Sequence, residues 1–322
     1  MLRLNWWETK KQKLESTRQG FGRGLVRAAA ADKNVVALTA DLKESTQVDT
    51  FAQKYPSRFF DVGVAEQNLA GVAAGLALSG KIPFMTSYAV FSPGRNWDQI
   101  RVSIAYNQAN VKIISTHAGL NVGPDGATHQ ALEDIALMRV LPHMTVVVPA
   151  DSIQAEQAAQ AIARRRGPCY LRLTRSATPV IMSDQPTFAI GKAQVLLEGS
   201  DVTIIACGPL VYQSLLAARH LSEQGIAATV INCHTIKPLD ERTIINWAKK
   251  TQAVVTVEEH QIAGGLGSAV AEVLARRQPT PQEFVAVNDQ FGQSGSAEQL
   301  LLHYSLTTDS IIAACHRALG RK

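Results

Sequence analysis

Cysteine is scarce and scattered. The 322-residue chain holds four, at Cys169, Cys207, Cys233 and Cys315, with no Cys-x-x-Cys pair and no histidine at zinc-ligand spacing. That excludes a disulfide scaffold and a compact zinc module. Cys169 and Cys207 fall inside the apolar runs "CYLRLT" and "TIIACG", so buried, reduced thiols and a reducing compartment are expected. No apolar run approaches the roughly 20 residues of a membrane span. The start, "MLRLNWWETKKQKLEST", is amphipathic and basic and lacks the apolar stretch of a secretory signal. Lysine and arginine are neither clustered nor interleaved with aromatics, and the net charge is only +5. This argues against nucleic acid and for small anionic ligands. The densest basic run, "ARRRG" at 163–167, closes a helical pattern, where arginine complements the helix dipole. Internal repeats and low-complexity segments are missing too. A cytoplasmic protein with no membrane partner is the expectation.

What is present is an ordinary globular mixture, 46% hydrophobic and 18% charged, long enough for two domains with cores of their own. Short β-branched runs at 34–41, 59–63, 82–88, 111–118, 145–150 and 169–174 alternate with helical patterns near 15–31, 66–79, 94–107, 130–140 and 152–166. That alternation predicts an α/β fold with a mostly parallel sheet. It breaks in "SATPVIMSDQPTFAIGK" at 176–192, and a second α/β set follows. We therefore expect two domains, each a mostly parallel sheet flanked by helices, at 1–180 and 193–322, with a linker at 181–192.

In open parallel sheets ligands bind beyond the carboxyl ends of the strands. Asp41, Ser45, Glu66, Phe91 and His117 all follow such strands, from four separate connections. Glu66 stands at the mouth of "DVGVAEQNLAGVAAGLALSG" (61–80), otherwise a buried, small-residue helix. It reads either as a solvated helix-end carboxylate or as a proton handler in an apolar setting. A second stretch, "THAGLNVGPDGATHQALED" (116–134), brackets a glycine-rich loop and Asp125 with His117 and His129. Two imidazoles and a carboxylate on one tight loop suit a small polar ligand better than a metal. "GGLGS" (264–268) opens a helix without a nucleotide fingerprint, and we read it as packing.

"DVGVAEQNLAGVAAGLA", "GPDGATHQALEDIALMRVLPHMTVVVPAD" and "VEEHQIAGGLGSAVAEV" occur in the order seen in the carboxyl-terminal half of the transketolase family of thiamine diphosphate enzymes, and the chain resembles that half from about Thr17 onward. The resemblance implies a pyrimidine-binding domain followed by the family's carboxyl-terminal domain. It gives Glu66 the role of hydrogen-bonding the cofactor's aminopyrimidine and sharing its proton. In "SYAVF" it makes Phe91 the ring that stacks on the pyrimidine, with Tyr88 nearby, although Phe91 stands about one residue further from "WDQIR" than in some relatives. Asp41, in "LTADL", matches an acidic residue close to the cofactor, with a helix N-cap as the simpler reading. Arg18, Ser45, His117 and Arg175 fall where those enzymes grip a substrate phosphate, against a surface arginine and a salt-bridged one as the plainer alternatives. Asp125 and His129 match contacts to sugar hydroxyls near the reacting carbon, which puts His117 and His129 beside Glu66 in the catalytic set.

The family holds the cofactor's diphosphate and Mg²⁺ through a GDG motif and a later asparagine, and this chain has no GDG. The resemblance thus implies half an active site, with no metal ligands of its own. A separate diphosphate-binding subunit would complete it, in an α2β2 heterotetramer where this chain dimerises and acts on sugar phosphates. The expected activity is that of a split transketolase, moving a two-carbon ketol unit. A deoxyxylulose-phosphate synthase fragment, a ketoacid dehydrogenase β subunit and a catalytically silent scaffold are the alternatives.

Overall fold

The chain, described from a computed structural model, is covered over residues 2–8, 12–183 and 188–322. Its first part runs β1 (Leu14–Glu15), α1 (Thr17–Ala31), β2 (Val35–Thr39), α2 (Asp49–Lys54), β3 (Phe59–Asp61), α3 (Glu66–Leu78) and β4 (Ile82–Tyr88). Helix α4 (Trp97–Gln99) then passes into a π-helical segment, Ile100–Tyr106. Strand β5 (Lys112–Thr116), α5 (Asp134–Arg139), β6 (Thr145–Val147), α6 (Ser152–Arg164), β7 (Cys169–Arg172) and β8 (Thr178–Pro179) complete it. The second part runs β9 (Gln194–Leu197), β10 (Val202–Ala206), α7 (Leu210–Glu223), β11 (Ala228–Asn232), β12 (Thr235–Lys237), α8 (Glu241–Thr251), β13 (Val254–Gln261), α9 (Leu266–Arg277), β14 (Gln282–Val287), α10 (Ala297–His303) and α11 (Thr308–Leu319).

Two mostly parallel sheets result. The first has the order β12-β6-β7-β5-β4-β2-β3, and only β12 is antiparallel. Strands such as "VVALT" and "KIIST" are buried at every position, which is why they read as continuous apolar runs rather than alternating ones. One face packs α1, α2 and α6 through Phe21, Leu25, Phe51, Ala158 and Ile162. The other packs α3, the π segment and α5, and its core continues into the second sheet's Ile205, Ile231 and Val254. The second sheet, β14-β13-β10-β11-β9, has one antiparallel edge strand, β9.

The two parts are joined more tightly than a linker reading suggests. Strand β12 belongs to the second part in sequence yet pairs with β6 at the edge of the first sheet. Ile181 and Met182, expected in a linker, are fully buried, and both amides donate to the Asp151 carboxylate. Residues 184–187 of that linker lie outside the described residues. Glycines at 20 and 24 let α1 touch α6 backbone to backbone, since a Cβ there would stand 1.9 Å from the Ser152 carbonyl oxygen and 2.4 Å from that of Glu156. A Ser16–Gln19 capping box starts α1, and the Thr17 hydroxyl accepts from the Thr174 amide at 2.7 Å. Together these bring Arg18 to the carboxyl edge of the first sheet. All four cysteines are buried and unpaired. Among the described residues no helix is long and apolar enough to cross a membrane.

Candidate active site

The carboxyl edge of the first sheet carries two unlike groups of side chains. The first is cationic. Arg18 is half-buried and donates through Nη1 to the Ser45 carbonyl at 2.7 Å, while its Nε has no partner among the described residues. Burial, then the charge of Arg175, pushes its pKa below the ordinary arginine value. Arg175 donates through Nη1 to the Val122 carbonyl at 2.7 Å and pairs with Asp125 at 3.0 Å. The salt-bridged reading of Arg175 and the sugar-site reading of Asp125 thus meet in one ion pair. Both partners are about one-third exposed, so the pair is weak and open to exchange.

His117 is the hub of this group. It is buried, its backbone is left-handed at φ +56°, and its Nδ1 lies 2.8 Å from the Thr116 hydroxyl. Non-glycine residues in that conformation cluster at active sites, and histidine tolerates it better than most. Burial, then Arg18, Arg175 and His129, lowers its pKa to about 3. The ring is therefore neutral near pH 7, a hydrogen-bonding group and not a third cation. It stacks on Tyr88 at 3.7 Å between ring centroids. Tyr88 in turn stacks on Phe91 at 5.7 Å, and His129 stands edge-on to Phe91 at 5.4 Å. One continuous aromatic wall, His117–Tyr88–Phe91, thus runs from the cationic group to the second.

The second group centres on Glu66. It is the first residue of α3 and only 6% exposed, yet the Ala65 cap offers no side-chain bond. Its carboxylate meets the Arg95 guanidinium at 3.2 Å, and its carbonyl accepts from the buried Asn96 side chain at 2.9 Å. So Glu66 does sit on the favourable dipole end, but it is not solvated. The Arg95 guanidinium carbon also lies over Phe91, 4.1 Å from the ring centroid.

Asp41 stands apart. It is exposed and left-handed at φ +58°, and its amide donates to Asp61 at 3.0 Å. No helix starts there, since α2 begins at Asp49, so the N-cap reading fails. Ser45 contributes its carbonyl to Arg18.

Three features were not legible as site residues. Arg95 lies in the Pro/Gly turn "SPGRNW", which has no periodicity to mark it; its position four residues after Phe91 was the one available signal. Glu259 is buried and accepts from the Asn121 amide at 2.5 Å, and burial raises its pKa to about 7. Arg172, also buried, donates to Asp134 at 2.8 Å and to the Glu259 carbonyl at 2.9 Å. The loop between His117 and His129 is therefore held from the second sheet. A Cβ at Gly119 would come 2.5 Å from the Glu259 carboxylate, so that approach needs glycine. "GGLGS" is packing, as expected: the Leu266 and Gly267 amides donate to the buried Glu258 carboxylate at 2.6 and 2.7 Å.

Comparison with known proteins gives this edge a context. The family described as "Transketolase, pyrimidine binding domain" matches residues 14–180, and "Transketolase, C-terminal domain" matches 191–311. A putative transketolase C-terminal section from Methanocaldococcus jannaschii is 46% identical, over 91% of this chain and 93% of its own. A 6-deoxy-6-sulfo-D-fructose transketolase subunit from a Clostridium species is 45% identical, over 92% of each. A solved structure described as a split gene transketolase, inactive beta4 tetramer, superposes with a TM-score of 0.87 at 46% identity, covering 95% of this chain and 98% of that one.

Proposed function

The chain belongs to the transketolase family, as its split carboxyl-terminal subunits do, and from that premise we propose that it supplies the pyrimidine-binding half of an enzyme moving a two-carbon ketol unit from a ketose phosphate to an aldose or aldose phosphate. The observation that carries this is the single sheet edge on which Glu66 and Phe91 stand at one end of an aromatic wall and Arg18, His117 and Arg175 at the other.

The family depends on thiamine diphosphate, which when bound supplies a nucleophilic carbon and an electron sink. The residues present fit its ring: a buried carboxylate beside an aromatic face is already engaged by a planar, cationic N–H donor, the guanidinium of Arg95. Glu66 would hold and share the proton at the ring's edge, and Phe91, backed by Tyr88, would carry its face. Arg18 and Arg175 offer guanidinium forks to a phosphate, or to another tetrahedral oxyanion such as a sulfonate. Neutral His117 hydrogen-bonds without adding charge, and Asp125 and His129 line the loop between the two ends. With no GDG motif in the chain, the diphosphate and Mg²⁺ sites fall to a separate subunit in an α2β2 assembly. Alone, the chain is expected to self-associate without turnover.

A coupled ketol-transfer assay tests this, with the chain, its diphosphate-binding subunit, thiamine diphosphate, Mg²⁺, xylulose 5-phosphate and ribose 5-phosphate. Activity that requires both chains is expected. Cofactor binding with turnover only on a 2-ketoacid would move the chain to the synthase or dehydrogenase reading. Failure of the pair to bind cofactor would leave the scaffold.

A further inference from the structure

Arg95 has a place in the site but no role in the reading above. Its guanidinium lies 4.1 Å over the Phe91 face and within 3.2 Å of the Glu66 carboxylate. A guanidinium is a flat group with N–H donors in its plane, and an aminopyrimidine protonated at a ring nitrogen is likewise a flat face with an N–H at its rim. The two groups need the same seat, an aromatic ring below and a carboxylate at the rim. We propose that Arg95 is a displaceable occupant of the ring seat: it satisfies Glu66 and Phe91 in the unloaded protein and is expelled when the cofactor's ring enters. This rests on Glu66 and Phe91 being that seat.

The surroundings suit a side chain that leaves and a backbone that stays. The Arg95 side chain is 53% exposed, so water is open to it. Its amide donates to the Phe91 carbonyl at 2.9 Å, and the neighbouring Asn96 side chain is locked to the Glu66 carbonyl and the Ser92 hydroxyl. The occupant also explains how a buried carboxylate stands without helix-amide bonds: its countercharge comes from a group free to move. Occupancy by Arg95 reduces the fraction of protein competent to bind, and apparent affinity falls by that fraction.

Calorimetric titration of Mg²⁺–thiamine diphosphate into the chain assembled with its diphosphate-binding subunit tests this. Arg95→Ala is expected to bind roughly three- to tenfold more tightly than wild type, the gain from freeing a seat blocked most of the time. Arg95→Lys should fall between them, because an ammonium keeps the charge but cannot lie flat on the ring. The titrant carries almost no net charge, since diphosphate, thiazolium and Mg²⁺ cancel, so the long-range loss of a cation has little effect on it. Arg95→Lys, which keeps the charge beside Glu66, separates vacating the seat from merely unpairing the carboxylate. Unchanged or weaker binding in Arg95→Ala overturns the proposal. Glu66→Ala, run alongside, separates the two layers. If it leaves affinity unchanged, the ring seat itself is wrong. If it weakens binding while Arg95→Ala stays at wild type, only the occupant is wrong.

Discussion

Two buried glutamates stand at helix N-termini in this molecule, each beside a glycine-rich, small-residue helix, and they do opposite things. Glu258, from β13, fills the N-terminus of α9 and accepts two helix amides at 2.6 and 2.7 Å. A Cβ on Gly265 would collide with it at 2.1 Å. Its bonds are to backbone that cannot move, and although burial raises its pKa it has no route to a ligand. Glu66 begins α3 and is nearly as buried, but its partner is the half-exposed Arg95 side chain. Burial and a helix terminus are common to both. What separates a structural carboxylate from an available one is whether its partner can leave.

The largest expected effect breaks the comparison at Glu66. In the assembled enzyme Glu66→Ala should lower turnover by roughly two to four orders of magnitude, the usual worth of a positioned proton-transfer group, while leaving the denaturant midpoint nearly unmoved. Glu258→Ala should show the converse. Two helix amides lose their acceptor, so a loss of about 2–5 kcal/mol in urea unfolding is expected, with turnover per folded molecule retained. At the cationic end, Arg175→Ala should raise KM for a phosphorylated acceptor about ten- to hundredfold, as for one charge-assisted contact, with a smaller change for the same acceptor lacking phosphate. If KM for the two moves equally, Arg175 is a loop anchor through Val122 and Asp125.

The smallest effect is a pH dependence. The folded pKa of His117, about 3, lies below the ordinary 6.5, so the unfolded chain takes up its proton first. The contribution of His117 is fully present above pH 6.5 and is lost as pH falls toward 3, with a slope of at most about 1.4 kcal/mol per pH unit. Wild type should therefore lose stability relative to His117→Asn over that window. Glu259, raised to about 7, runs the other way as pH rises from 4.5 and is common to both proteins. A constant difference in unfolding free energy from pH 7.5 to 5 would mean that His117 is not held neutral by its surroundings.

Much of this was legible in the residues. The six runs of the first part became β2 to β7; all but the exposed edge strand β3 are buried on both faces, which is why they read as continuous apolar runs. Glu66, His117 and His129 were marked by chemistry out of place in apolar or glycine-rich company. What escaped notice depends on tertiary pairing. Strands β1 and β8 have two residues each, too few for any periodicity, and β12 is a strand only because β6 offers it an open edge. The linker reading of 181–192 came from the prolines and polar residues of 176–192 and had no sign of Asp151, whose buried carboxylate pins Ile181 and Met182. Arg95 and Glu259 acquire their roles from groups far away in the chain, Glu66 and Asn121.

The most direct test is the isosteric change Glu66→Gln in the assembled enzyme, with turnover and cofactor affinity measured on the same preparation. Glutamine keeps the shape and a hydrogen bond to the ring but cannot share a proton. The account predicts cofactor bound within about tenfold of wild type, as for one neutral bond replacing a charged one, and ketol transfer reduced far more than that. Turnover at the wild-type rate would contradict it, and would leave Glu66 a second structural carboxylate like Glu258.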